Sequence, residues 1–157
     1  MTLTFRKLSV STLERPILHS IDGDALPSEL LAVMGPTGSG KTTLLDSLAH
    51  RLNPTQLNYS GAVRFSDKPW NKNMKRSIGF IEQEDIVVAE LTVRQSLTFM
   101  AELRLPKSLG AAARTARVNE VLTTLKLTKA AETRVGSLGE RGISGGERKR
   151  LCIAQEL

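Results

Sequence analysis

Cysteine is nearly absent from this chain of 157 residues, in which Cys152 is the only one. A single cysteine excludes an internal disulfide and fits a reducing compartment. Long apolar runs are missing as well, because the longest, Leu30 to Met34, is far too short to span a bilayer. The first ten residues lack the apolar stretch and the cleavage site of a secretory signal. These absences predict a soluble, globular domain that faces the cytosol.

Charge of one sign is not concentrated in any segment. The chain has 22 Lys and Arg against 16 Asp and Glu, a net charge of +6, and the basic residues are spread along it. Such a distribution is typical of a solvated surface rather than of a nucleic-acid or lipid patch. No nucleic-acid partner is therefore expected, and an acidic phosphate ligand is the best local exception.

The first part of the chain favours β-strands. Residues 22–24 and 26–28 carry turn residues between β-like runs. The apolar run before Gly35 suits a strand buried on both faces of a parallel sheet. The predicted strands are Leu3 to Val10, Ile17 to Ile21, Leu30 to Met34, Gly61 to Phe65 and Ser77 to Ile81.

The remaining segments favour helices. Leucines at helical spacing predict a helix from Lys41 to Arg51, stopped by Asn53-Pro54. Thr92 and Gln95 form a capping box for a helix that ends near Leu103. An amphipathic stripe predicts a third helix from Ala111 to Leu127. Together with the strands, this order predicts an α/β core with a helical insertion.

The segment from Gly35 to Thr42 matches the phosphate-binding pattern G-x-x-x-x-G-K-[ST]. Its glycines let the backbone turn N–H groups toward an anion at the start of the following helix. Lys41 would place a positive charge on the β- and γ-phosphates, and the Thr42 hydroxyl would bind Mg²⁺. The alternative is a glycine-rich turn with ordinary surface residues. The preceding strand and following helix favour a nucleotide site.

A second helix start has similar features. Ser144 and Glu147 form a capping box, and two glycines inside a cap are costly unless the backbone must approach a ligand. The basic residues at 148–150 crowd the positive end of the helix dipole, which is unfavourable without a nearby anion. Alternatively, the box only starts a helix. Its inner face would then consist of Leu151, Ile153, Ala154 and Leu157.

The two motifs together resemble the nucleotide-binding domain of an ABC transporter. Ser144 to Glu147 match the signature motif, and the segment from Gly79 to Asp85 resembles the Q-loop, with Gln83 on its glutamine. The segments GFIEQEDIV, ELTVRQSLTF, AELRLP and GISGGERKRLCIA resemble the G subfamily, the white and pleiotropic-drug-resistance type. The resemblance runs from about Leu3 to Leu157.

This resemblance implies an α/β fold with a P-loop NTPase (RecA-like) core, an N-terminal antiparallel β subdomain and a helical subdomain. The division falls between residues 1–90 and 91–157. Lys41 and Gln83 are the implied catalytic residues, Thr42 and Gln83 the implied Mg²⁺ ligands. The residues implied to bind ATP are Gly35, Gly38, Ser39, Gly40, Lys41, Thr42, Thr43, Gln83, Ser144, Gly145 and Gly146.

The implied partners are ATP, a second nucleotide-binding domain packed head-to-tail, and a transmembrane domain of the same or a partner chain. Ser144 to Gly146 would contact the γ-phosphate of ATP held by the opposing domain. The implied activity is ATP hydrolysis coupled to export of a lipid-like or drug-like substrate. The implied location is the cytoplasmic face of a membrane, as part of an integral membrane transporter, although the chain alone would be soluble.

The chain departs from the family pattern in two places. Many members stack adenine on an aromatic residue shortly after the first strand, but Ser9 to Leu13 contains none. The Walker B strand, catalytic glutamate, D-loop and switch histidine lie beyond the signature helix, where this sequence ends. We therefore expect the C-terminal part of the core to be missing, and this chain alone to bind Mg-ATP weakly without turnover.

Three alternatives remain at this point. A soluble ABC-type ATPase acting on ribosomes or nucleic acid would bind them through its basic residues, although the resemblance to the G subfamily argues against it. A P-loop kinase explains Gly35 to Thr42 but neither the Q-loop nor the signature. A non-functional shortened product would be marginally stable and prone to associate.

Overall fold

The structure, a computed structural model, describes residues 1–53, 55–137 and 141–157. It divides the chain into two compact units, Met1–Ile78 and Gly79–Leu157. Each unit has its own apolar core. The division of the domain at residue 90 stays a prediction.

An antiparallel sheet forms the first unit, with the strand order β2-β1-β3-β4. The strands predicted to start near Leu3, Ile17 and Gly61 are confirmed. The turn predicted at residues 22–24 is wrong, because these residues continue a strand and Gly23 pairs with Phe5. A Cβ on Gly23 would lie 2.3 Å from Cζ of Phe5, so this glycine makes room for a ring. The strands are β1 (Leu3–Ser11), β2 (Pro16–Ala25), β3 (Asn58–Phe65) and β4 (Lys68–Pro69).

Helix α1 (Lys41–Leu48) packs its apolar side into the core of the first unit. It ends earlier than the predicted Arg51, because His50 adopts a left-handed φ of 51° that a helix cannot continue. Pro54, half of the predicted stop, lies outside the described residues. A 3₁₀-helix follows β4 at Lys72–Ser77. The buried core residues are Phe5, Leu8, Val10, Leu18, Leu44, Leu48, Val63 and Phe65.

Two predicted strands are wrong in this structure. Residues 30–34 and 78–81 are assigned no strand, and Leu30 is 94% exposed. An extended segment becomes a strand only when a neighbour accepts and donates its backbone hydrogen bonds. The described sheet pairs β1 to β4 with one another and leaves both segments out. An apolar run thus predicts burial, but only a pairing partner makes it a strand.

The described residues of the second unit contain three α-helices: α2 (Val93–Arg104), α3 (Ala111–Thr124) and α4 (Gly145–Glu156). Thr92 and Gln95 make the predicted capping box, and Leu105 ends α2 before Pro106 as predicted. A short 3₁₀-helix at Thr128–Ala130 follows α3. In the described part of the chain, no helix combines the length and the apolar character needed to cross a membrane. The buried core residues are Val93, Leu97, Val118, Val121, Leu122, Leu127, Ala130, Ala131, Val135, Ile143, Leu151 and Ala154.

The inner face of α4 differs from the prediction at two positions. Leu151 and Ala154 are buried as expected, but Ile153 is only half-buried and Leu157 is exposed. Cys152 is buried in their place. Two adjacent positions, 151 and 152, are therefore buried. The predicted face left out Cys152, although a free cysteine packs like a small hydrophobic residue.

Candidate functional site

The loop from Gly35 to Gly40 has the backbone that its glycines predict. Gly38 and Gly40 have φ values of 82° and 88°, in the left-handed region that favours glycine. A Cβ on Gly40 would lie 2.9 Å from Leu18 Cδ2, so this glycine also lets α1 begin close to β2. A Cβ on Gly38 would meet nothing within 4 Å. The loop is therefore fixed on the Gly40 side and open to solvent on the Gly38 side.

The N-terminus of α1 carries an uncompensated positive dipole. Gly40 offers no side-chain cap, and the first turn of the helix contains no acidic residue. The first intrahelical hydrogen bond runs from the N–H of Leu44 to the carbonyl of Gly40, at 2.8 Å. The N–H groups of Lys41, Thr42 and Thr43 precede it and have no acceptor within the helix. This arrangement suits a phosphate group.

Lys41 folds back over the same loop. Its Nζ donates to the carbonyls of Gly35 at 2.9 Å and of Pro36 at 2.7 Å. Ser39 N–H also donates to Pro36, at 3.3 Å, so the loop closes into a compact turn beneath the ammonium group. The hydroxyl of Thr42, on the first turn of α1, is exposed. The residues present therefore fit a magnesium-bound polyphosphate: N–H donors, one ammonium group and one hydroxyl ligand.

The Q-loop segment, residues 79–85, lies in the second unit and has no helix or strand. Gln83 is exposed, and its carbonyl accepts a hydrogen bond from Lys149 Nζ at 3.2 Å. The same ammonium group lies 2.7 Å from Asp85 Oδ1 and 3.2 Å from the carbonyl of Glu82. The structure thus brings Gln83 next to α4, the helix that starts at the signature residues.

Ser144 caps α4 as predicted. Its Oγ accepts from the N–H of Glu147 at 3.3 Å and donates to Glu147 Oε2 at 2.8 Å, and Glu147 Oε2 accepts from Ser144 N–H at 2.9 Å. These hydrogen bonds lower the pKa of the Glu147 carboxyl, with a smaller contribution from the charge of Arg150. Gly145 and Gly146 are exposed, and a Cβ on Gly145 would meet nothing within 4 Å. Their backbone is therefore accessible to a partner.

The interpretation of the basic cluster needs a correction. Lys149 does not await an external anion, since Asp85 of the same unit is its partner. Arg148 Nη2 donates to the carbonyl of Val135 at 3.2 Å. A Cβ on Gly146 would lie 3.5 Å from Arg150 Nη1, so Arg150 is the member of the cluster close to the two glycines. Two of the three cations stabilise the fold around the signature helix.

Sequence reasoning missed two features of the site. Asp85 was assigned no role in the sequence analysis, yet its carboxylate forms an ion pair with Lys149, which is distant from it in the sequence. Gly142 lies against the preceding loop, where a Cβ would be 2.2 Å from the carbonyl oxygen of Val135. No periodicity links either residue to its partner.

Comparison with known proteins agrees with these features. Residues 18–157 match the family described as ABC transporter. The chain is 44% identical over 155 residues to ABC transporter G family member 22 of Arabidopsis thaliana, covering 99% of this chain and 20% of that protein. It is 46% identical over 146 residues to the broad substrate specificity ATP-binding cassette transporter ABCG2 of Rattus norvegicus, covering 93% of this chain and 22% of that protein.

The chain spans about a fifth of the length of these curated relatives. The family match covers most of the chain and includes the P-loop, the Q-loop segment and the signature segment. A P-loop NTPase fold follows from this membership, and the antiparallel sheet and helices of the structure form a mixed α and β architecture. This chain belongs to the ABC transporter family, as a nucleotide-binding domain of the G subfamily.

Proposed function

We propose that this chain binds Mg-ATP at the loop from Gly35 to Thr43 and serves as the ATP-binding cassette of a transporter. The observation that carries the proposal is the start of α1: left-handed glycines, an uncapped helix N-terminus and the Lys41 ammonium group meet at one exposed loop. When bound, Mg-ATP supplies the phosphoanhydride bond whose hydrolysis powers transport in this family.

The residues of the loop have distinct roles in this proposal. The N–H groups of Lys41, Thr42 and Thr43 donate to the phosphate oxygens, as do the free N–H groups of other helix starts, and the Ser39 N–H exchanges the Pro36 carbonyl for a phosphate oxygen. Lys41 exchanges its two loop carbonyls for phosphate oxygens, which are stronger acceptors because they are charged. Thr42 and Gln83 hold the magnesium ion through their side-chain oxygens. Gly35 lets Ser39 fold close, since a Cβ there would lie 2.8 Å from Ser39 Oγ.

Binding is tested by thermal unfolding with and without Mg-ATP. At a nucleotide concentration about a hundredfold above Kd, binding adds about 2.7 kcal/mol of stability. For a chain of this size the midpoint temperature then rises by about 5 to 10 °C. Lys41→Ala should abolish most of this rise, while Lys68→Ala on the edge strand β4 should retain it. An equal rise in both variants would contradict the assignment of the loop.

Hydrolysis is proposed to require more than these residues. A polypeptide of residues 1–157 contains no Walker B aspartate or catalytic glutamate in the family's position, so the attacking water has no base. We expect it to bind Mg-ATP but to release phosphate no faster than its Lys41→Ala variant. Steady phosphate release above that variant would overturn this part of the proposal.

The signature residues act on a second cassette. The N–H and hydroxyl of Ser144 donate to Glu147, whereas the N–H groups of Gly145 and Gly146 precede the first intrahelical hydrogen bond, from Arg148 to Ser144, and have no acceptor within the helix. All three residues are exposed. We propose that they donate to the γ-phosphate of ATP held by the P-loop of an opposing domain, with Arg150 supplying a nearby positive charge. Each ATP then lies between the P-loop of one domain and the signature of the other.

Trans-complementation tests this arrangement in the full-length protein. Lys41→Ala and Ser144→Ala each inactivate both sites of a pair of identical domains. When the two variants are co-expressed, mixed pairs contain one site with an intact P-loop and an intact signature. We expect such mixtures to regain part of the ATPase activity. A protein in which every chain carries both substitutions should remain inactive. No recovery in purified mixed pairs would contradict the head-to-tail arrangement.

The transported compound is proposed from the relatives alone. The rat relative is named for broad substrate specificity. We propose that the cassette works at the cytoplasmic face of a membrane, contacts a transmembrane domain and drives export of lipid-like or drug-like compounds. ATP-dependent uptake of such compounds into inverted membrane vesicles, lost in Lys41→Ala, is the test.

A further inference from the structure

Lys149 uses its complete hydrogen-bonding capacity on the Q-loop segment. An ammonium group has three donors and no acceptor. Its three acceptors here are Asp85 Oδ1 at 2.7 Å and the carbonyls of Glu82 and Gln83, both at 3.2 Å. All three acceptors lie within four consecutive residues of one loop. A surface lysine that only solubilises the fold would not be held in this way.

The contact with Gln83 is made through its backbone. Residues 78–83 have no helix or strand to fix their position, and Gln83 is exposed. A hydrogen bond to the Gln83 carbonyl sets the point from which its side chain extends. Positioning groups of this kind determine where a ligand atom lies, as they do around bound metals.

The other end of the contact belongs to a rigid element. Lys149 lies on the second turn of α4, whose residues Leu151, Cys152 and Ala154 are buried in the core of the second unit. Ser144 and Gly145 begin the same helix. A displacement of the start of α4 therefore moves Lys149 with it, since a helix of this length behaves as a short rod.

Asp85 holds the ammonium group in place. The Asp85 carboxylate also lies 3.6 Å from Cys152 Sγ. The positive charge of Arg148, the residue before Lys149 on α4, attracts the same carboxylate. The ammonium nitrogen of Lys149 and Oδ1 of Asp85 are 2.7 Å apart. The contact is an ion pair reinforced by two backbone hydrogen bonds.

We propose that Lys149 is a positioning residue that ties the Q-loop to the signature helix, so that engagement of Ser144 to Gly146 and placement of Gln83 occur together. This inference rests on the proposed function, because it gives the Q-loop and the signature one shared mechanical link within a single domain. Lys149 touches neither nucleotide nor metal. It acts through Gln83.

The expected effect falls on turnover rather than on nucleotide affinity. The P-loop, in the first unit, supplies most contacts to the bound nucleotide in the proposed function, so the KM for ATP should stay within about twofold. Loss of the positioning contact should lower kcat for ATP hydrolysis by about tenfold to a hundredfold, as removal of outer-shell partners does at metal sites. A smaller folded fraction would also lower the apparent kcat at unchanged KM, so kcat is expressed per ATP-binding site, counted by nucleotide binding in each preparation.

The experiment measures ATP hydrolysis by the full-length protein that carries these residues. Lys149→Met removes the ammonium group and keeps the length of the side chain. Asp85→Asn keeps the carbonyl contacts of Lys149 and removes only the charge, so it should lower kcat less than Lys149→Met. Lys149→Arg keeps the charge and several donors, and it should recover most of the lost rate.

A matched control exists in the same unit. Arg104 and Glu156 form an ion pair between α2 and the last turn of α4, at 44% and 24% side-chain exposure. Lys149 and Asp85 are 43% and 22% exposed, so the two pairs are equally open to solvent. Arg104→Met therefore removes a comparable ion pair from the same helix and leaves the three acceptors of Lys149 in place, although Glu156 also lies near Gly79 at the start of the Q-loop segment. It should leave kcat within about twofold of the wild type.

The outcomes separate this inference from the proposed function. A wild-type protein that hydrolyses ATP no faster than its Lys41→Ala variant refutes the proposed function itself. An active wild type with Lys149→Met at the same kcat, or with Arg104→Met lowered as much as Lys149→Met, overturns the inference. If Lys149→Met no longer binds ATP, Asp85→Asn decides: lowered kcat with unchanged KM supports the link, and unchanged kcat refutes it.

Discussion

At the scale of single residues, Gly38 and Gly40 look alike in the sequence but have different surroundings. Both have positive φ values, so an alanine at either position costs about 1 to 2 kcal/mol of backbone strain. Only at Gly40 would the new methyl group also collide, 2.9 Å from Leu18 and 3.3 Å from Ile17. Overpacking of this kind adds about 1 to 3 kcal/mol.

We therefore predict that Gly40→Ala lowers the free energy of unfolding by about 2 to 5 kcal/mol and Gly38→Ala by about 1 to 2 kcal/mol. Urea unfolding in the absence of nucleotide measures both. Equal losses would show that the contact with β2 has no energetic weight. The prediction concerns the fold of the first unit and is independent of ATP binding.

The sequence predicted the glycines of the P-loop well, but not Gly142, which is required by a close contact in the folded chain. The glycines of the P-loop belong to a pattern of fixed spacing, and the sequence contains the whole pattern. Gly142 is required because the Val135 carbonyl approaches it, and that approach depends on how two loops fold onto each other. Asp85 is equally hidden, because its partner Lys149 is distant in the sequence. Local patterns can be predicted, whereas pairs made by tertiary structure cannot.

At the scale of secondary-structure elements, α2 and α4 begin with the same device. Thr92 with Gln95 and Ser144 with Glu147 form capping boxes, each with both reciprocal hydrogen bonds. Loss of an N-cap hydroxyl costs about 1 kcal/mol. Thr92→Ala and Ser144→Ala should therefore lower the stability of the second unit by similar amounts.

The two variants should differ in function. In the proposed function only Ser144 meets a nucleotide, so Ser144→Ala should lower ATP hydrolysis by the full-length protein about tenfold or more. Thr92→Ala should leave it nearly unchanged. Chemical denaturation together with phosphate release separates the structural cost, which they share, from the functional one. Equal activity in both variants would assign Ser144 a capping role alone.

The ion pair between the Q-loop and α4 predicts a pH dependence. The hydrogen bond from Lys149 lowers the pKa of Asp85 in the folded state, so the unfolded chain binds that proton more readily. The pair therefore stabilises the second unit above the ordinary pKa range of an aspartate, and this contribution is lost as the pH falls through the lowered pKa. Asp85→Asn should be less stable than the wild type at neutral pH, and the difference should shrink in acid.

Unfolding midpoints measured between about pH 7 and pH 2 test this, because the window spans both protonation states of the carboxyl group. Lys149→Met removes the cause of the shift, so its profile should resemble that of Asp85→Asn. A stability difference that stays constant across the whole window would mean that the ion pair is not what Asp85 contributes.

Elements with their own start and stop chemistry were predicted best. The bounds of α2 follow from its cap and from Pro106, and its structure matches the prediction closely. Residues 30–34 lie between turn residues at 26–28 and Gly35, but these mark only the ends of the run and supply no pairing partner. Their apolar run predicts burial, yet burial requires neighbours that the described sheet does not provide. Helices satisfy their backbone internally and strands do not, which is why the helices were the safer prediction.

At the scale of the whole molecule, the segment from Leu30 to Met34 is the feature most at odds with a soluble surface. Leu30 is 94% exposed, Leu31 and Met34 are exposed as well, and all three lie in one stretch without helix or strand. Adjacent exposed apolar side chains with an unpaired backbone form a template for association. A single exposed leucine does not form such a template. Leu13, in the turn between β1 and β2, is an example, and it is also 94% exposed.

We therefore predict that a polypeptide of residues 1–157 self-associates through this segment. Sedimentation velocity should show a mean size that rises with concentration, and Leu30→Glu with Met34→Glu should suppress that rise. Leu13→Glu, at equal exposure, should leave it unchanged. Neither change removes a buried contact, so both variants should unfold at nearly the wild-type midpoint. If Leu13→Glu suppressed association equally, added charge rather than the segment would be responsible, because charge repulsion acts on the whole surface.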